Sequence, residues 1–314
     1  MGFELTILGS SSATPVYDRH PTSQLLVFRD HHFLIDCGEG TQLQLIKYRI
    51  RFHKISHIFI SHLHGDHYLG LTGLLSTYHL QGRTADLHLY GQPELMDIIE
   101  MNLRLSQTRL RYNLVFHPLR YYTPEVLLED EDIYVRTVIL NHRIPCTGFV
   151  FSEKPRPRKL RVEKLQEYNI PFTYYPRIKA GDGFVDAGGR MVSNEELTEE
   201  PLPPRSYAYC SDTAYMPDLA REVEGVDLLY HEATFMEDMR DRAVATFHST
   251  AREAAQVALD AKASRLLIGH FSARYKQLDG LLTEARALFP ATELAVEGST
   301  FRFEEQEALI YPAG

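Results

Sequence analysis

The chain has 314 residues, 44% of them hydrophobic, enough to bury a sizeable core in one large domain or two modest ones. Its formal net charge of -9 counts against nucleic-acid binding through overall basicity, although local basic patches stay open. No apolar run reaches the roughly 18 residues of a membrane span, so no membrane partner is expected.

The first third reads as short strands joined by tight turns. Leu5 to Leu8, Gln24 to Phe28 and Phe33 to Ile35 have strand-like apolar content. Met1-Gly2 with Thr6 matches an acylation pattern. The segment Phe3 to Leu8 reads better as a buried first strand, and it has no basic-then-apolar secretory character. A short helix, Thr41 to Tyr48, is expected behind Gly38-Glu39-Gly40. His57 to Ile60 is an apolar strand running into a histidine cluster, and Pro93 to Leu105 has helical spacing. Strands resume at Asn113 to Phe116 and Ile133 to Leu140.

Residues 153–204 change character, with Pro155, Pro157, Pro171, Pro176, Pro201, Pro203 and Pro204 among several glycines. They read as an inserted arm with one short helix near Leu160 to Tyr168. Strand and helix then alternate. Tyr207 to Cys210, Val226 to Tyr230 and Arg265 to Ile268 are strands. Thr250 to Lys262 is a helix capped by Ser249 or Thr250, with Glu253 in its first turn. Arg274 to Phe289 is a further helix, and short strands close the chain. The expectation is one domain over residues 1–314: a layered α/β fold with two sheets face to face and helices outside.

Cys37, Cys146 and Cys210 are odd in number and far apart, which favours buried thiols in a reducing, cytoplasmic setting over a disulfide framework. A soft-ligand role stays open for Cys146, four residues after His142, and for Cys210, two before Asp212.

His62-Leu63-His64-Gly65-Asp66-His67 packs three imidazoles and a carboxylate into six residues behind an apolar strand. If that strand continued, positions 62, 64 and 66 would share a face, and a loop at its end would turn His67 toward a second ion. Imidazoles with a carboxylate are a ligand set that zinc prefers. Further ligands must come from other strand ends, where His142, Asp212 and His270 each follow an apolar strand. His231 reads as support for a ligand. His20, His31, His32, His53, His57, His79, His88 and His117 have no metal-ligand spacing.

His62-x-His64-x-Asp66-His67 resembles the signature of the metallo-β-lactamase superfamily. Leu8 to Pro15, Phe33 to Gln42, Ser211-Asp212-Thr213, His231 to Phe235, His248-Ser249-Thr250 and Gly269 to Tyr275 resemble the segments of one branch, the ribonuclease Z family. The resemblance spans nearly the whole chain. It implies a four-layer αββα metallo-β-lactamase sandwich with an inserted arm. It implies two zinc ions, one on His62, His64 and His142, the other on Asp66, His67 and His270, with Asp212 bridging. It also implies removal of 3′ trailers from precursor tRNA, leaving a tRNA 3′-hydroxyl and a 5′-phosphorylated trailer. Asp66 would orient the attacking water and accept its proton. His248, oriented by Glu232, would protonate the leaving oxygen. A homodimer is implied as well, one subunit's arm presenting tRNA to the other's site.

The arm departs from the family pattern: Ile170 to Pro176 stands where a Gly-Pro-rich segment is usual. Residues 153–164 hold six basic residues, Lys154, Arg156, Arg158, Lys159, Arg161 and Lys164, against Glu153 and Glu163. Those cations, with Arg274, are candidates for phosphate contacts, and Tyr168, Phe172, Tyr174 and Tyr175 for base stacking. A solvated basic surface is the plainer alternative. Lys47, Arg49, Arg51 and Lys54 form a second basic cluster. Two other functions fit the metal cluster alone: hydrolysis of small phosphodiesters or aryl sulfates, and a non-catalytic metal-stabilised binding module.

Overall fold

The computed structural model describes residues 3–186 and 188–303; Met1 and Gly2, with the acylation pattern they begin, and residues 304–314 lie outside the described residues. Two compact units are distinguished: residues up to Ser152 together with Arg205–Phe303, and the segment beginning at Glu153 and ending at Pro204. No helix among the described residues is long and apolar enough to cross a membrane.

The larger unit holds two seven-stranded sheets. The first has the order Thr300–Phe303, Phe3–Gly9, Ser23–Phe28, His31–Cys37, His57–Phe59, Leu87–Gly91, Leu114–Pro118. Its first four strands pair antiparallel and the rest parallel. The second has the order Thr292–Leu294, Arg265–Gly269, Leu228–Glu232, Ser206–Cys210, Cys146–Glu153, Ile133–Leu140, Val126–Glu129, and its first four strands are parallel.

Side-chain alternation sorts each strand between two layers. Phe33, Phe59, Phe149, Phe151, Tyr207, Tyr209 and Tyr230 fill the space between the sheets. Phe59 meets Phe151 edge-on at 5.3 Å, a contact that adds about 0.5–1.5 kcal/mol to burial. The opposite faces carry aliphatic residues. Leu34, Ile58 and Leu89 lie under the helices Thr41–Lys47, Leu71–Leu80 and Glu94–Leu105. Ala208, Leu229, Leu266 and Ile268 lie under Ala251–Asp260 and Asp279–Arg286. Helix, sheet, sheet and helix stack as the sequence predicts. The helix Ala251–Asp260 starts with a reciprocal cap: the Glu253 amide donates to Thr250 Oγ1, and the Thr250 amide donates to Glu253 Oε2.

Other elements differ from the sequence reading. The last helix begins at Asp279 rather than Arg274. Residues 270–275 are instead committed to the N-terminal loop: Phe271 exchanges backbone hydrogen bonds with Ser10 and Ser12, and Arg19 donates to the Tyr275 carbonyl. The strand Cys146–Glu153 carries Gly148, a strand breaker on paper. Here glycine is required, because a Cβ would sit 2.7 Å from the Tyr209 carbonyl oxygen.

The smaller unit is more ordered than an irregular arm. It has helices Val162–Glu167, Tyr175–Lys179 and Asn194–Leu197 and two short strand pairs. Leu165, Ile170, Ile178, Val192 and Leu197 form its own core.

Candidate metal centre

The chemistry-bearing side chains leave the sheets at or just past the C-terminal ends of strands. Asp36 closes His31–Cys37, His142 follows Ile133–Leu140, Asp212 follows Ser206–Cys210, and His270 follows Arg265–Gly269. The histidine cluster itself is not strand. That strand ends at Phe59, and Gly65–Tyr68 forms one helical turn, which carries Asp66 and His67 on successive residues. This one turn delivers both Asp66 and His67 to the centre without a separate loop, with Asp66 Oδ2 and His67 Nε2 3.5 Å apart. Gly38 lets this turn pack down: a Cβ there would lie 2.4 Å from the Asp66 carbonyl oxygen.

Two separate groups of donors result. His62, His64, His142 and Asp212 form the first; Asp66, His67 and His270 form the second. Asp212, His248 and His270 also lie close enough to form a third that overlaps both. In the first, His62 Nε2 and His142 Nε2 each lie 3.1 Å from His64 Nδ1, and Asp212 Oδ2 is 3.5 Å from His62 Nε2. In the second, His270 Nε2 is 3.3 Å from both His67 Nε2 and Asp66 Oδ2. The other oxygen of Asp212, Oδ1, faces this second group, 3.2 Å from His270 Nε2 and 3.4 Å from His67 Nε2.

The donor set fits divalent cations. Asp212 Oδ1 is buried and has no hydrogen-bond partner, a state that is costly without a cation. Burial, reinforced by neighbouring His67, lowers His62 to about 4; burial likewise lowers His64 and His142. Neutral imidazole is the ligating form. His67 reports the local field. Burial opposes its charging, yet Asp212, Asp66 and Asp36 lift it well above the usual histidine range, so the pocket favours positive charge.

The ring nitrogens pointing away from the centre are held. His67 Nδ1 meets Asp36 Oδ2 at 2.7 Å, His142 Nδ1 the Phe247 carbonyl at 2.9 Å, and His270 Nδ1 Thr234 Oγ1 at 2.9 Å. Such contacts fix tautomer and ring direction. His270 also has φ 60°, a left-handed backbone that non-glycine residues adopt at some cost.

His248 stacks beside His270 with centroids 5.4 Å apart, and its Nδ1 lies 2.8 Å from Glu232 Oε1. Burial disfavours its charge, but Glu232 and then Asp212 outweigh that and raise it to about 9. Glu232 is wholly buried and also accepts from the Thr213 and Thr234 amides. The centre opens into a cleft of roughly 310 Å³ lined by Ser12, Ala13, Glu39, Asp66, Leu69, Arg143 and His248 among others.

Asp36, Arg143 and Glu39 are absent from the sequence-derived site. Asp36 had a signal, a lone acid closing an apolar strand; Arg143 had only its place beside His142. His231 is buried, but its Nδ1 meets the Glu232 carbonyl, and it is in neither donor group. The three thiols are free and buried. Burial pushes Cys37 and Cys210 up to about 12 and Cys146 well above the usual range, which opposes the thiolate form that binds metal.

The candidate RNA-binding cations lie outside the lining of this cleft. Arg156 pairs with Glu153, Arg158 with Glu200, Lys159 with Glu199 and Lys164 with Glu167. Arg161 donates to the Thr198 carbonyl, Lys154 is half-buried and not without a partner, and Arg274 is exposed.

A family model described as anti-Pycsar protein Apyc1 matches residues 3–144, and one described as a beta-lactamase superfamily domain matches residues 202–271. The metallo-beta-lactamase fold protein YhfI from Bacillus subtilis superposes with a TM-score of 0.67 at 17% identity, covering 96% of this chain and 100% of that one, so the fold is shared. Human tRNase Z, short form, superposes with a TM-score of 0.70 at 29% identity, covering 95% of this chain and 98% of that one. Ribonuclease Z from Bacteroides fragilis is 47% identical over 295 residues, which cover 94% of this chain and 97% of that protein. With identity at that level over nearly the full length of both, the chain belongs to the ribonuclease Z family.

Proposed function

We propose that this chain is a zinc-dependent endoribonuclease that removes 3′ trailers from precursor tRNA. Family membership makes it a hydrolytic endoribonuclease and favours this over a small-molecule hydrolase or a non-catalytic module. The observation that carries the mechanism is the placement of Asp212, with one oxygen toward each donor group. We assign His62, His64 and His142 to one ion, Asp66, His67 and His270 to the other, and Asp212 to both. Two such ions supply Lewis acidity, making water ionisable near neutral pH and offsetting charge on phosphoryl oxygens.

The protein's own groups do the rest. Asp66 is held by the Ala13 amide, which donates to its Oδ2 at 2.7 Å, and it takes the proton of the attacking water. A new P–O bond forms from that water as the P–O3′ bond breaks. His248, its Nδ1 engaged by Glu232, offers Nε2 to protonate the departing 3′ oxygen. The products are a tRNA 3′-hydroxyl and a trailer with a 5′-phosphate. A homodimer that shares tRNA between subunits, and a reducing cytoplasmic setting for three free thiols, belong to the same reading.

The test combines metal analysis with cleavage of a 3′-extended tRNA. About two zinc ions per chain and the product ends named above are expected. Asp66→Ala should slow cutting by roughly 10²–10⁴-fold. A variant that cuts at the parent rate would sink the catalytic assignment.

A further inference from the structure

The arm's charges turn inward. Its 52 residues, 153–204, hold nine Lys and Arg against nine Asp and Glu, and most of its basic side chains are paired within the unit. The cleft, by contrast, has a single Lys or Arg side chain beside its histidines. Arg143 is the only Lys or Arg among the described residues that line it. It is exposed, and among the described residues its guanidinium makes no ion pair and no hydrogen bond. The two residues before it are nevertheless anchored. His142 before it is held by the Phe247 carbonyl, the Asn141 amide donates to Thr213 Oγ1 at 3.1 Å, and the Ala214 amide donates to the Asn141 carbonyl at 2.8 Å. The loop that presents Arg143 is thus tied to the loop that carries Asp212.

An RNA strand crossing this cleft brings a negative phosphate on each side of the one that is cut. The metal donors account for the cut phosphate only. A guanidinium with free donors, carried next to anchored residues at the cleft wall, matches a phosphate's paired oxygens. We propose that Arg143 binds the phosphate adjacent to the scissile one and so holds the strand in register with the metal centre. This rests on the endoribonuclease reading and adds a positioning residue to it.

The test compares the zinc-loaded full chain with Arg143→Ala and Arg143→Lys on a 3′-extended tRNA, over roughly 50–200 mM salt, with zinc content measured in parallel. Arg143→Ala should raise KM about tenfold with kcat little changed. It should also flatten the log–log salt dependence by about 0.7, the slope of one contact to single-stranded phosphate. Arg143→Lys should restore the slope but only part of the affinity, because it returns the charge without the fork. Unchanged KM and slope in Arg143→Ala would overturn the assignment and leave the endoribonuclease reading standing. Lost zinc, or a fall confined to kcat, would overturn it in favour of a structural or catalytic role. If the parent chain leaves the precursor uncut, both readings fail.

Discussion

Asp36 shows how much one buried carboxylate does for this centre. Its Oδ2 accepts from His67 Nδ1 at 2.7 Å, Ser61 Oγ at 2.8 Å and Tyr209 Oη at 2.5 Å, and its Oδ1 accepts from the Ser61 amide at 2.7 Å. Every oxygen is committed, and no part of the residue reaches solvent. By taking the proton side of His67, Asp36 turns the Nε2 lone pair toward the other donors. Asp36→Asn keeps the shape but puts an NH2 where an acceptor stood, so either the three donors at Oδ2 or the Ser61 amide at Oδ1 lose their acceptor in a buried site. Zinc affinity should fall by about 10–100-fold, read by competition against a chromophoric chelator. An Asp36→Asn variant that held zinc as tightly as the parent would show that His67 needs no such orientation. The donors were legible in the sequence because clustered imidazoles have few other uses. Asp36 showed only as an acid at a strand end, and its role was hidden, because its partners lie 25, 31 and 173 residues away.

At the scale of elements, strands with strong apolar runs were readable, as was the helix start at Thr250 and Glu253. Leu87–Gly91 was not, being five residues long with a polar His88 in its run. Its neighbours explain that histidine. Parallel register places His57 beside His88, and His117 lies on the next strand, so three residues without metal-ligand spacing become a ladder. His57 stacks on His88 at 4.8 Å, and His88 Nδ1 lies 3.0 Å from His117 Nε2. Burial, then His88, His31 and His117, lower His57 to about 3, with Asp130 acting weakly the other way. The folded protein therefore keeps His57 neutral, while the unfolded chain takes up a proton below pH 6.5. This group costs no stability above 6.5. Between 6.5 and about 3 it lowers stability by about 1.4 kcal/mol per pH unit. His57→Phe keeps the stack and removes the titration. Urea unfolding of chelator-treated protein should then fall less steeply for the variant than for the parent from about pH 6.5 to 5. Parallel profiles would mean that His57 is charged in the fold.

At the scale of the molecule, the segment from Glu153 to Pro204 has its own compact core, and the chain leaves and re-enters the sheet at facing residues. Ser152 and Ser206 are direct partners on antiparallel neighbours, so the excursion is a very long hairpin loop. The sequence showed the insertion by its prolines and glycines and counted its first twelve residues as basic. Glu199 and Glu200, 40 and 42 residues past their partners Lys159 and Arg158, are what the fold brings back to those cations, while Glu167 pairs with Lys164 within one helical turn. Replacing residues 153–205 by Asn-Gly would close the same two strands with a two-residue turn suited to their twist. The shortened chain should unfold cooperatively, bind as much metal as the parent and hydrolyse a small aryl phosphodiester at near the parent rate, because none of the donor residues is removed. Cutting of a 3′-extended tRNA should fall by roughly two orders of magnitude in kcat/KM if the segment holds the tRNA body, the scale of losing two or three phosphate contacts. Full retention of tRNA cutting would show that the segment does not hold the substrate, and that the cleft, with Arg143 at its wall, is sufficient to seat it.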